Sequence, residues 1–189
     1  MKGVLFNVVQ DVVESTMNCD AWDHVLADAH LDGAYTSLGD YHGTEMAAIV
    51  AALSERSGLP QEEVFRLAGE HGYTYLAERH ADLIGHYPTF GDLLGNLDAV
   101  IHPEVLKLYP DARPPRFDVA PMPAGEGWVV TYRSCRGLCH LADGLLRGAA
   151  NSFGYPHSIE QTRCTHSGDP ACVFEVSPRG DRRRDPGRT

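Results

Sequence analysis

In "YRSCRGLC", residues 132–139, a phenol, a hydroxyl and a guanidinium recur at alternate positions: Tyr132, Ser134 and Arg136. On an extended strand residues two apart share a face, so Tyr132 and Ser134 point the same way. Arg136 follows them if the strand persists to Gly137. Such a trio suits a carboxylate or phosphate pair, because the guanidinium fork binds those groups with two parallel hydrogen bonds. The alternative is a strand-end arginine on the surface, with the tyrosine ring packed in a hairpin.

Thiols are threaded through and beyond the same stretch. Cys139, Cys164 and Cys172 come from separate parts of the chain, the last two on opposite arms of "RCTHSGDPAC". Three such thiolates resemble a structural zinc site, which normally has four ligands. Cys135, His140, His157 and His166 all lie near in sequence. Buried free cysteines or a redox cluster are the competing readings.

The third candidate is His102 in "NLDAVIHPEVLKLYP". At 100° per residue it lies roughly 110° from the centre of the Phe90/Leu94/Leu97/Ile101 stripe, flanking the core. Pro103 cannot accept ordinary helical geometry, so the helix kinks or restarts here and can aim the imidazole sideways into a cavity. This histidine is either a metal or haem ligand or a half-exposed residue ahead of a helix-start proline. None of the ten histidines has HxxxH or HExxH spacing, which leaves a zinc-hydrolase reading without support.

The elements that must position these groups change character along the chain. The first ~110 residues read as helices. They include a short amphipathic one over 22–31, an alanine-rich one over 43–58 ending in a glycine stop, and one opening at Pro60 with acids in its first turn. Over 89–101, Phe90, Leu93, Leu94, Leu97 and Ile101 recur at helical spacing, with Thr89 as the cap. After "YPDARPPRF" four short β-like runs follow: "RFDVAPM", "GWVVTYRS", "HSIEQTRCTH" and "ACVFEVS". Between the two pairs lies a helix with Leu138, Leu141, Leu145 and Ala149 on one face. The order predicts an α+β fold: a helical N-terminal lobe, then a lobe of antiparallel hairpins and packed helices.

The 189 residues are 43% hydrophobic and 22% charged, as in an ordinary globular protein. No apolar run approaches a membrane span, and the start does not read as a signal peptide. Five cysteines without an export signal point to a reducing cytoplasm. The formal charge of −10 is uneven: "SPRGDRRRDPGRT", 177–189, holds five arginines and two aspartates, leaving 11 basic against 24 acidic residues elsewhere. An acidic body disfavours a nucleic-acid partner, and the tail reads as a disordered basic segment.

Taken together these residues resemble the H-NOX family, the haem nitric oxide/oxygen binding domains. The carriers are "GAYTSLGDY", "NLDAVIHPEVLKLYP", the YxSxR pattern Tyr132–Ser134–Arg136, "GLC" and "TRCTHSGDPACVFEV". The resemblance implies one domain over 1–176, with a distal lobe to about 65 and a haem-binding proximal lobe over about 66–176. It implies haem b (iron protoporphyrin IX) with His102 as axial ligand and Tyr132, Ser134 and Arg136 on the propionates. Pro115 would press on the haem plane. Leu5, Val9, Gly72 and Leu141 would form the distal pocket, and Leu141 stands where oxygen-binding members carry a tyrosine. That implies binding of nitric oxide and CO with exclusion of O2. Signalling would follow by release of the proximal histidine to a separately encoded histidine kinase or diguanylate cyclase, so the protein is expected to be a sensor and not an enzyme. Related proteins bind zinc through three cysteines and a histidine. Cys139, Cys164 and Cys172 match, but Gln161 stands where the histidine belongs, so the fourth ligand is either missing, leaving three neighbouring thiols as a redox site, or substituted by His166 or Cys135. The ending also resembles haem-free 4-vinyl reductase-type small-molecule-binding domains, which have no need for both His102 and YxSxR.

Overall fold

A computed structural model describes residues 1–123 and 126–179. The helices are α1 (Val4–Thr16), α2 (Ala21–Ala29), α3 (Gly43–Ser57), α4 (Gln61–Arg79), α5 (Ala81–Ile84), α6 (Phe90–Asn96), α7 (His102–Leu108) and α8 (Cys139–Ser152). The strands are β1 (Arg116–Pro121), β2 (Trp128–Arg133), β3 (His157–Arg163) and β4 (Cys172–Pro178). The fold is α+β. Most of the expected basic tail lies outside the described residues, but Ser177 and Pro178 end β4 and do not belong to a tail.

Local chemistry accounts for the helix limits. Glu45 turns back to accept the His42 N–H at 3.0 Å, opening α3. Gly58, at φ +72°, closes it with its N–H on the Ser54 carbonyl, a left-handed stop that glycine adopts without strain. Thr89 caps α6 by accepting the Asp92 N–H at 3.1 Å.

The expected single helix over 89–101 is interrupted. Leu97–Ile101 forms a π-turn, and the His102 N–H reaches back five residues to the Leu97 carbonyl. Pro103 has no N–H, and its ring collides with the carbonyl four residues earlier in an α-ladder. One over-wide turn before it absorbs the conflict, and α7 then starts at His102 itself.

The four strands form one antiparallel sheet in the order β1-β2-β4-β3. Phe117 on β1 pairs with Tyr132, and Tyr132 pairs with Cys172 on β4. A residue of the polar trio and a thiol of the cysteine set are therefore register neighbours.

Apolar burial divides into two clusters. Phe6, Val9, Trp22, Val25, Ile49, Val50 and Leu53 form one among α1–α3, joined by Val64 and Ala68 of α4. Phe90, Leu94, Val130, Leu146, Phe174 and Val176 lie in the other, between helices and sheet. Helix α8 serves both, since Leu141 belongs to the first cluster and Ala142 and Leu146 to the second. It approaches α4 at backbone contact: a Cβ on Gly144 would stand 2.0 Å from the Arg66 carbonyl oxygen. Only glycine allows that approach.

Candidate functional site

A cavity of about 300 Å³ opens between the two clusters, within the size range of small-molecule and cofactor sites. Its walls are mostly apolar: Leu5, Leu76, Leu93, Leu97, Val105, Phe117, Leu141 and Leu145 are among them. Against this background the polar groups stand out. His102, Tyr132, Ser134 and Arg136 all border the same space, together with Pro115, Arg113, Lys2 and Met1.

His102 reaches the cavity from the first turn of α7. Its Nδ1 lies 3.2 Å from Asp98 Oδ1, and the same oxygen accepts the Phe117 backbone N–H at 3.0 Å. One carboxylate thus locks the ring to β1 and fixes its tautomer: Nδ1 donates to Asp98 and the Nε2 lone pair stays free. Burial pushes the imidazole below its ordinary pKa, with Asp98 opposing. The neutral, metal-binding form is therefore favoured at neutral pH. Phe117 packs on the ring at 5.6 Å between centroids.

Asp98 escaped the sequence reading. The signal was its position four residues before His102, on the same helical face. The π-turn is what makes that spacing productive here.

The trio is built differently from the strand pattern expected. Strand β2 ends at Arg133, so Arg136 does not continue it. Ser134 Oγ instead accepts the Arg136 N–H at 3.2 Å. This side-chain turn folds the segment back so that all three side chains still border the cavity. Burial raises the Tyr132 phenol pKa. Arg136 has no ion pair among the described residues. The Met1 ammonium is lowered by burial first and then by the nearby Arg136 charge. Two like charges share the rim of an apolar cavity, with Asp40 close enough to act on both, and the Arg136 guanidinium, free of an ion pair among the described residues, makes a site for an anion.

Two of the four expected distal residues are elsewhere. Leu5 and Leu141 line the cavity. Val9 is sealed within the α1–α3 cluster, 2% exposed, and Gly72 faces α1, where an added Cβ would meet Val8 at 2.2 Å. The neighbour of Gly72, Tyr73, takes a place in the wall. Successive helical residues point about 100° apart, so a one-residue offset exchanges glycine for phenol. The Tyr73 hydroxyl is buried with no hydrogen-bond partner. Having essentially no accessible surface, it is turned into the packed wall and away from the open space.

Beside the trio, the thiols gather. Cys139 opens α8, and its Sγ lies 3.8 Å from Cys164 Sγ. Cys172 Sγ accepts the Thr165 N–H at 3.3 Å, and its thiol adjoins that of Cys139. Burial drives the Cys139 thiol pKa upward. The two expected fourth ligands are placed otherwise. Cys135 is exposed, because the chain turns after Arg133 and carries it away from the cluster. His166 puts Nε2 on the Gly137 carbonyl at 2.9 Å.

A family model described as haem-NO-binding matches residues 2–161. The chain is 31% identical to an H-NOX protein from S. oneidensis solved in the Fe(II)NO ligation state, covering 95% of this chain and 100% of that one, with a TM-score of 0.88. The Fe(II)CO state of the Shewanella oneidensis H-NOX domain is likewise 31% identical over 96% of this chain and all of that one, with a TM-score of 0.85. An Fe(II) unliganded H-NOX protein from K. algicida is 26% identical over 96% and 98% of the two chains, with a TM-score of 0.82. No match was found among curated proteins. No helix among the described residues is long and apolar enough to cross a membrane.

Proposed function

The chain belongs to the haem-NO-binding, or H-NOX, family, and on that premise we propose that it senses nitric oxide and CO at a ferrous haem b and excludes O2. One observation carries the reading. A free Nε2 on a carboxylate-locked histidine and an unpaired arginine border the same apolar cavity. Those are the needs of a flat apolar group with a metal at its centre and two carboxylates at its edge. His102 would hold the iron, Tyr132, Ser134 and Arg136 the propionates, and Pro115 would lie against the ring plane. Bound there, haem would supply a ferrous iron able to take an imidazole from His102 and a diatomic gas.

The protein's own part is mechanical. His102 is the first residue of α7, and its N–H is the donor that closes the π-turn on the Leu97 carbonyl. A His102 held by the group would tie down the junction between α6 and α7, and a freed His102 would let that junction move against the α1–α3 cluster, a two-state change that a partner could read. The partner is a separately encoded histidine kinase or diguanylate cyclase, and the protein is a sensor, not an enzyme. Gas discrimination rests on Leu5, Leu141 and Leu145, which offer bound O2 no donor, and on the Tyr73 hydroxyl pointing into the wall. A zinc ion held by Cys139, Cys164 and Cys172 would pin the start of α8 to the β3–β4 hairpin.

The test is the Soret spectrum of the reduced protein before and after nitric oxide. A Soret band that shifts with NO, and that His102→Gly abolishes or rewires, supports the reading. Absence of any Soret band after haem supply overturns it. A stable oxy spectrum in air overturns the exclusion of O2.

A further inference from the structure

We propose that the metal centre is completed by His140, so that its nitrogen ligand has moved from the strand position held by Gln161 to the first turn of α8. The inference rests on the zinc reading of the three thiols and concerns which side chain closes the set.

The ligand atoms of Cys139, His140 and Cys164 all lie within 4.8 Å of one another. Two thiolates each about 2.3 Å from a tetrahedral zinc stand about 3.8 Å apart, and Cys139 and Cys164 are separated by 3.8 Å. Cys172, on the interior strand β4, adjoins the Cys139 thiol and stands just outside that 4.8 Å group. With Cys172 drawn in through its contact with Cys139, three sulfurs and one imidazole nitrogen from α8, the β3–β4 turn and β4 would give the composition of a closed structural site.

The surroundings are built for it. The Cys172 sulfur receives the N–H of Thr165 at 3.3 Å and lies 3.3 Å from its hydroxyl oxygen. Asp169 accepts the Cys164 N–H at 2.8 Å and holds the turn. Gly137, at φ +65°, turns the chain just ahead of α8, where Cys139 and His140 are the first two residues. His166 belongs to the second layer: its Nε2 meets the Gly137 carbonyl, and its ring stacks on His140 at 5.8 Å and 14°. This pair orients the His140 ring. Gln161 is an outer partner as well, with its amide donating to the Arg163 carbonyl at 3.2 Å and lying beside the Cys139 thiol.

The decisive measurement is zinc K-edge X-ray absorption on haem-loaded protein purified without chelator, since it reads zinc without interference from iron. The expected environment is three sulfurs near 2.3 Å and one nitrogen near 2.0 Å. His140→Ala should lose the nitrogen and give up zinc to EDTA at least about 100-fold more readily, the upper end of what loss of even an outer-shell partner costs. Gln161→Ala should leave the sulfur and nitrogen count unchanged. Adding Gln161→His to His140→Ala should restore the nitrogen and retention, which separates ligation from a folding defect. The proposal is overturned if His140→Ala keeps the nitrogen and its zinc, if Gln161→Ala loses them, or if the wild type carries no zinc. None of these outcomes alters the Soret response to nitric oxide, so failure here is distinct from failure of the sensor reading.

Discussion

The Asp98–His102 contact can be tested by Asp98→Ala. The substitution removes the only side-chain partner of Nδ1 among the described residues and leaves the Phe117 N–H without its 3.0 Å acceptor. A hydrogen bond to a charged group contributes about 1.5–3 kcal/mol to stability. Asp98 keeps 42% of its side chain exposed, so solvent screening places the contact at the lower end, about 1.5 kcal/mol. That corresponds to about tenfold in an equilibrium, the lower bound of the about 10–100-fold cost of losing a second-shell partner of a metal-bound histidine. The expected result is about tenfold faster haem transfer to an excess of haem-free globin, with a lower iron–imidazole stretching frequency in the resonance Raman spectrum. Asp98→Asn keeps a carbonyl acceptor for both N–H groups and loses only the charge. A neutral bond is worth about 0.5–1.5 kcal/mol, so Asn should fall between wild type and Ala. If Asp98→Ala transfers haem within about twofold of wild type and leaves the stretch unmoved, the carboxylate does not orient the ligand and the reasoning fails.

Two further predictions concern packing. Gly144→Ala puts a Cβ 2.0 Å from the Arg66 carbonyl oxygen and 2.8 Å from the Glu70 nitrogen, both backbone, so it should destabilise by about 1–3 kcal/mol. Gly95→Ala on α6 meets nothing within 4 Å and should stabilise by up to about 1 kcal/mol. A Gly144→Ala melting temperature at or above that of the wild type would contradict the close α4–α8 approach. Tyr73→Phe removes a buried hydroxyl without a partner, which costs about 1–3 kcal/mol when unsatisfied. Its melting temperature should rise by about 2–4 °C per kcal/mol recovered, with NO binding unchanged. A fall in melting temperature, or altered gas dissociation, would show that the hydroxyl has a partner in the cavity.

Much of this molecule was legible in the sequence because the signals are local. Alternation of two marks β2, proline and glycine punctuate the loops, and Thr89 announces α6. His102 and the Tyr132–Ser134–Arg136 pattern could be singled out by residue type and spacing alone, and the family was recognisable from motifs along nearly the whole chain. What stayed hidden depends on a rotation or a distance that no local pattern encodes. The conflict at Pro103 was visible, but whether the chain would break, kink or widen into a π-turn depended on Asp98 finding both His102 and Phe117. Tyr73 and Gly72 differ by one position and about 100° of helix, so only packing against α1 and α8 decided which of them faces the cavity. The cysteines were evident as a set, yet four nearby side chains competed for the last place. Folding α8 against the β3–β4 hairpin brought His140 to the thiols and left Cys135 in solvent, because the turn after Arg133 had already carried it away.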